Sequence, residues 1–279
     1  MKLKGVNDIE LLLSELDKQQ LCDFIRGECA NDRHFQQRFL SLGTGFLTSP
    51  KFSDYHARIM DMIEEFGDRH GYVEYSKTFR LNRAICQIID EADVAIQNYQ
   101  WDVAQTILDS IATSGEDILY CGDDSAGELG DILHYCFQKW HELSSDELLP
   151  EGKKSELFEL SLTHFAEGCL KEFDWWWDWI QMAIQLADDE EKQGRIIQEL
   201  DKVINIKGDE WGINYNRQVA QRYKLEIMSK RGTPEEQFKF MYENVSNPDF
   251  RRRLLQMAWA RGDYKEVLRL AVDGATHDS

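Results

Sequence analysis

Apolar residues recur at the three- and four-residue spacing of an α-helix along almost the whole chain. The first segment shows this spacing at Ile9, Leu12, Leu13 and Leu16, and later segments repeat it. Such spacing places apolar side chains on one face of a helix, whereas a half-buried strand alternates with a period of two. Because alternating segments are nearly absent, the sequence predicts an all-α fold.

Three of the four prolines follow a residue that is suited to a helix N-cap. These pairs are Ser49-Pro50, Thr233-Pro234 and Asn247-Pro248. Ser, Thr and Asn cap helix N-termini, and Pro is favoured at the first helical position, so the pairs predict helix starts. Glu236 follows Thr233 by three residues, which completes the sequence pattern of a capping box.

The same periodicity predicts a series of helices after residue 50, with ends placed to within about 2–4 residues. These helices cover residues 52–70, 74–97, 100–113, 125–143, 153–170, 174–187, 189–205, 213–230, 234–245, 249–261 and 264–273. Together with three short helices before residue 48, the short connections between them predict antiparallel helical hairpins.

Two of the predicted connections resemble each other. In residues 258–267 one helix ends at Gly262 and the next is capped by Asp263 before Tyr264, and in residues 95–104 Asn98 lies at the turn and Trp101 takes the place of Tyr264. Both resemble the junctions of tetratricopeptide-type repeats, although no strict 34-residue period is present. We therefore expect an α-α superhelix of stacked antiparallel hairpins, a degenerate tetratricopeptide-like architecture.

The first 48 residues differ from the rest of the chain, because their predicted helices are short. The segment from Gly43 to Pro50 is rich in Gly, Ser and Thr, which is typical of a linker. The predicted domains are a small N-terminal helical module at 1–48 and the helical-hairpin superhelix at 49–279.

The charge balance is strongly acidic, with 32 Lys and Arg against 51 Asp and Glu and a net charge of −19. Such a chain repels phosphate groups, which argues against direct nucleic-acid binding and favours a protein or peptide partner of basic character. No apolar run is long enough to span a membrane and no signal segment is evident, so we expect a cytoplasmic protein. The six cysteines form no CxxC pair, so we expect reduced, mostly buried thiols.

Three stretches carry a family resemblance: LLSELDKQQLCDFIRGECANDRHFQQRFL near the N-terminus, GDDSAGELGDILHYCFQKWHEL in the centre and FDWWWDW after it. They resemble the helical region of bacterial proteins that carry a SWIM zinc finger, over about residues 9–180. The resemblance implies an association with a finger of the form CxCx(n)CxH, which binds nucleic acid or protein. This chain contains no CxC and no CxH, so the activity of the finger does not carry over.

The run from Gly122 to Asp131 places four acidic residues at a predicted helix start, and these candidate partner-binding residues are Asp123, Asp124, Glu128 and Asp131. Ser125 and Glu128 have capping-box spacing, and acidic groups in a first turn are favoured by the helix dipole. Helix capping is the preferred interpretation, with a basic partner or a Mg²⁺ ion as alternatives. Gly127 and Gly130 predict close packing of another helix.

The run of indoles after Phe173 is the most distinctive segment, and its candidate partner-binding residues are Trp175, Trp176, Trp177 and Trp179. Four indoles in five helical positions point in too many directions to face one core, so we expect at least one in a groove. There an indole beside Asp174 or Asp178 could stack on a Lys or Arg of a peptide. The alternative is that the rings join neighbouring hairpins.

Other chemical motifs are weak. His134, Cys136 and His141 are the nearest approach to a metal cluster, but the two histidines are about 10 Å apart along one helix. No catalytic or phosphate-binding motif is present, so neither a metal nor a cofactor is expected. The run from Arg251 to Arg253 is expected to be solvated helix surface.

These observations leave three hypotheses. The first is a non-catalytic scaffold that binds a protein or peptide. The second is an accessory region of a nucleic-acid-associated SWIM-type protein. The third is an enzyme that uses paired carboxylates such as Asp123, Asp124 and Asp131, which would require a pocket that separates their pKa values.

Overall fold

The computed structural model describes residues 16–31, 51–208 and 210–277. These residues contain thirteen α-helices, and their only β-type pairing is an isolated bridge between Val73 and Gly122. The helices are α1 Lys18–Asn31, α2 Phe52–Phe66, α3 Tyr75–Gln97, α4 Trp101–Thr113, α5 Gly115–Tyr120, α6 Glu128–Ser144, α7 Glu151–Glu167, α8 Trp176–Leu186, α9 Glu190–Ile204, α10 Trp211–Arg231, α11 Pro234–Glu243, α12 Pro248–Ala260 and α13 Tyr264–His277.

The prediction of an all-α fold built from helical hairpins is confirmed. All eleven helices predicted after residue 50 are present, and their ends lie within four residues of the predicted ones. One further helix, α5, was not predicted. Among the described residues, every helix is too short or too polar to cross a lipid bilayer.

Two of the three predicted helix starts are confirmed in detail. The Thr233 hydroxyl accepts a hydrogen bond from the Glu236 amide, while the Glu236 carboxylate accepts one from the Thr233 amide, which is a complete capping box. The Asn247 side chain accepts from the Asp249 amide at the start of α12. Ser49 and Pro50 lie outside the described residues.

The two similar junctions are similar in structure. Gly262 adopts a left-handed φ of 72°, and Asp263 accepts a hydrogen bond from the Glu266 amide as predicted. Tyr264 and Trp101 are the first residues of α13 and α4, and each ring forms an edge contact with an aromatic ring before it. The left-handed residue of the earlier junction is Tyr99, with φ 59°, and not Asn98. The tetratricopeptide-like character stays a prediction.

The chain divides into two compact units. The first runs to Lys154 and also includes Cys169–Asp178, and the second comprises Ser155–Gly168 and Trp179–Ser279. This division lies within the predicted superhelix of residues 49–279. The predicted boundary at residue 48 lies outside the described residues, as does most of the N-terminal module and its linker, so that boundary stays a prediction.

Helices α2, α3, α4 and α6 pack against one another and form the core of the first unit. Leu81, Ile85, Ile88, Ala92 and Ala95 of α3 are buried, with the alternating four- and three-residue steps of one helix face. This periodicity explains why the limits of α3 were predictable from the sequence. The short helix α5 packs against α4 and α6.

In the second unit, each helix from α9 to α13 packs against the next one along the chain. A hydrophobic cluster in this unit contains Leu225, Met241, Phe250, Leu254 and Leu270, which come from α10 to α13. Consecutive helices that each pack on their neighbour are the expected result of helical hairpins joined by short turns.

Candidate partner-binding surface

The acidic run begins in the connection between α5 and α6, which is held by the bridge to Val73. The Val73 amide donates to the Cys121 carbonyl at 2.7 Å, and the Asp123 amide donates to the Val73 carbonyl at 3.2 Å. A Cβ atom on Gly122 would lie only 2.4 Å from the Val73 carbonyl oxygen. Glycine is therefore required at position 122 for the two segments to approach this closely.

Asp124 caps the start of α6. Its carboxylate accepts hydrogen bonds from the amides of Leu129 at 2.7 Å and Gly130 at 3.1 Å, which are the second and third residues of the helix. The predicted capping box of Ser125 and Glu128 is wrong, because Ser125 donates instead to the Asp123 carboxylate. A helix N-terminus leaves amides without intrahelical partners, and an acidic side chain accepts from them here, as the preferred interpretation of helix capping predicted. The residue that does so is Asp124 and not Ser125.

The other acidic groups of the run have different surroundings. The Asp123 carboxylate accepts hydrogen bonds from the side chain and the amide of Ser125, which lower its pKa. Glu128 and Asp131 face α3, where burial together with the charges of Asp90, Asp131 and Glu128 raises the pKa of the Cys86 thiol to about 11. All four acidic residues are described by the structure, and no three of their carboxylates are arranged to hold a metal ion.

The two glycines at the start of α6, Gly127 just before the helix and Gly130 inside it, do not mark a closely packed helix. Gly127 has a left-handed φ of 79° and no neighbouring atom within 4 Å of a Cβ position. At Gly130 a Cβ would meet the Asp124 carboxylate at 3.4 Å and the Trp175 ring at 3.5 Å. The acidic run and the indole run, which are 45 residues apart in sequence at these positions, are thus adjacent in space.

Three of the four indoles are buried. Trp176, Trp177 and Trp179 expose 3%, 5% and 0% of their surface, so these predicted partner-binding residues are not open to a ligand. Trp175 is half-buried and lies in the turn before α8. The prediction placed all four indoles on one helix, but Trp175 precedes the helix, and Trp179 belongs to a different compact unit from the other three.

Trp175 belongs to a chain of three aromatic rings that the sequence did not indicate. The Phe173 ring lies 6.2 Å from the Trp175 ring and 5.6 Å from the Tyr120 ring, measured between centroids. Tyr120 is 68% exposed and ends α5. It was missed because α5 is too short to show helical periodicity.

Acidic side chains surround these rings. Glu116 and Asp117 are exposed on α5, four and three residues before Tyr120, which places them on the same side of the helix. Glu172 is exposed beside Phe173, whereas the adjacent Lys171 lies over the Trp176 ring at 5.5 Å. We call this region the aromatic–acidic surface, defined by Glu116, Asp117, Tyr120, Glu172, Phe173 and Trp175.

The histidines and cysteines of α6 are not brought together. His134 is exposed, the Cys136 thiol is buried and donates to the Leu108 carbonyl at 3.5 Å, and His141 pairs with Asp178 at 3.0 Å. Within the described ranges, no three His, Cys, Asp or Glu side chains are arranged to hold a metal ion. All six cysteines are free thiols; two are buried and four are partly buried.

With this geometry established, the chain can be compared with known proteins. Protein-family models, curated proteins and solved structures gave no match. The resemblance to SWIM-associated helical regions therefore stays a prediction. The aromatic–acidic surface must be interpreted from its own chemistry.

Proposed function

We propose that this protein is a non-catalytic scaffold, and that its aromatic–acidic surface binds a Lys- or Arg-bearing segment of a protein partner. The observation that carries the proposal is the exposed ring of Tyr120, joined to the half-buried rings of Phe173 and Trp175 and lying beside exposed carboxylates. A cation over an aromatic face gains about 0.5–2 kcal/mol, and neighbouring carboxylates add electrostatic complementarity. The net charge of −19 also favours a basic partner.

The proposal also accounts for an exposed tyrosine at this position. Tyr120 buries little of its surface, so it contributes little to the core of the first unit. Its tilted contact with the Phe173 ring restrains the Tyr120 ring, which lowers the conformational entropy that binding would cost. A fixed, exposed aromatic ring is typical of residues that contribute most to a protein interface.

The test is affinity capture from a cell extract on the immobilised full chain, with and without added nuclease. Wild type and Tyr120→Ala are compared, with retained proteins quantified by mass spectrometry. We expect a nuclease-resistant protein whose retention falls about two- to thirtyfold in Tyr120→Ala, the range for loss of one cation–π contact.

Tyr264→Ala is the matched control. Tyr264 is 65% exposed and makes a single edge contact with Trp259 at 5.6 Å, the same ring distance as between Tyr120 and Phe173. Equal loss in both variants would contradict the assignment to the aromatic–acidic surface. Retention that depends on intact nucleic acid would instead favour a nucleic-acid-associated role.

A further inference from the structure

A groove in the second unit lies between α10, α11 and α12 and encloses about 810 Å³. Its floor is formed by the buried side chains of Val219, Leu225, Met241 and Phe250. Three of these four belong to the hydrophobic cluster of the second unit, so the floor is part of a packed core. An apolar concave surface of this size is typical of a binding site.

The groove is long as well as deep. Its lining residues extend from Val219 to Ser229 on α10 and from Asp249 to Ala260 on α12. At 1.5 Å per residue these stretches are about 15 Å long, which matches about three turns of a helix. This length suits a peptide segment whose apolar side chains recur every three or four residues.

The lining carries two cations, Arg222 and Arg253, and two anions, Glu226 and Asp249, and the pairing of these groups leaves one cation over. Asp249 pairs with both Arg222 and Arg252, each at 3.1 Å, so one carboxylate serves two guanidinium groups. Glu226 lies 3.7 Å from the Lys230 ammonium. Arg253 lines the groove and is exposed, and within the described residues its side chain has no hydrogen bond, ion pair or ring contact.

The sequence predicted only solvated surface for the run that contains Arg253. Arg251 departs from that prediction because it is buried, donates to the Val245 carbonyl at 3.2 Å and pairs with Asp273 at 3.6 Å. Arg252 and Arg253 are exposed, but only Arg253 faces the groove. The three adjacent arginines therefore have three different roles.

We infer that this groove binds an acidic amphipathic helical segment of a partner protein, with apolar side chains on the floor and a carboxylate paired with Arg253. Charge complementarity selects the occupant, because the rim offers an unpaired guanidinium beside an apolar floor. The overall charge of −19 repels an acidic peptide at long range. That repulsion is screened beyond about 8 Å at physiological ionic strength, so contacts at the rim decide the preference.

The experiment is selection of a random twelve-residue peptide library on the full chain at physiological salt. Besides the basic peptides expected for the aromatic–acidic surface, we expect peptides rich in Asp and Glu, with apolar residues three or four positions apart. Their affinity should fall at least about tenfold in Arg253→Glu, because a like charge replaces the pairing group. Met257→Asn tests the apolar contacts separately and should weaken the same peptides.

Arg80→Glu is the matched control, since it makes the same charge change at an exposed arginine of α3 that does not line the groove. Its affinity should stay within about threefold of wild type. Absence of an acidic class of peptides, or an acidic class with equal affinity for Arg253→Glu, would overturn the inference. The aromatic–acidic surface selects for the opposite charge, so failure of either proposal leaves the other standing.

Discussion

The cap of α6 gives the sharpest test of the structure, because the sequence and the structure name different residues. The capping-box pattern predicts that Ser125 stabilises the helix start, whereas the structure places the Asp124 carboxylate on the amides of Leu129 and Gly130. Replacing Asp124 with Ala should therefore destabilise the first unit. Replacing Ser125 with Ala should change little, because its hydroxyl bonds to the Asp123 carboxylate at an exposed position.

The size of the effect follows from two contributions. Loss of a capping side chain costs about 0.5–2 kcal/mol, and loss of a negative charge at a helix N-terminus costs about 0.3–1 kcal/mol. We expect Asp124→Ala to lower the free energy of unfolding by about 1–2.5 kcal/mol. Asp124→Asn keeps a hydrogen-bond acceptor and should cost only the charge contribution, whereas Ser125→Ala should stay within about 0.5 kcal/mol.

Urea unfolding followed by circular dichroism measures these differences, and hydrogen exchange locates them. In Asp124→Ala the amides of Leu129 and Gly130 should exchange faster, since they lose their acceptor. The reasoning is refuted if Ser125→Ala is the more destabilising change. Unchanged protection of both amides in Asp124→Ala would refute it equally.

Three further predictions concern packing and pH. Gly122→Ala should cost about 1–3 kcal/mol in urea unfolding through overpacking, whereas Gly194→Ala, with open space around it inside α9, should gain about 0.5–1 kcal/mol. The pKa of the Cys86 thiol is raised to about 11, so the folded state keeps this proton at pH values where the unfolded chain loses it. The free energy of unfolding should therefore decline as pH rises from about 9 to 11, and it should decline less steeply in Cys86→Ala. The pKa of Glu159 is lowered by hydrogen bonds from Arg195, so Glu159→Gln should cost up to about 1 kcal/mol at pH 7, and this cost should shrink as pH falls through the lowered pKa, measured by urea midpoints.

The helices were predictable because each one carries its own periodicity and end signals. The four- and three-residue steps along α3 and the cap at Thr233 depend on neighbouring residues only. Helix α5 was missed because six residues cannot show a period of 3.6, and because it starts at Gly115, a poor helix former. A Cβ on Gly115 would lie 2.7 Å from the Leu170 side chain, so packing with a distant segment determines the residue there.

The candidate site was less predictable, because its parts come from separate segments. The sequence named Trp175 and the acidic run, but not that the two meet at Gly130. It also could not show that Trp176 and Trp177 are buried, since aromatic residues are equally suited to cores and to interfaces. Tyr120 and Phe173 gave no signal in sequence, because their ring contact joins residues 53 positions apart.

The net charge of a chain is a poor guide to the partner of any one surface. A total of −19 predicts basic partners, and the aromatic–acidic surface agrees with that prediction. At the groove the local ion pairs favour an acidic partner instead, because Asp249 is shared by two arginines while the Arg253 guanidinium has no ion pair within the described residues. Screening limits long-range attraction to about 8 Å at physiological salt, so each site responds to its own unpaired groups. Peptide selections at low and physiological salt should therefore differ in their acidic content, with the acidic set growing as salt rises to the physiological value.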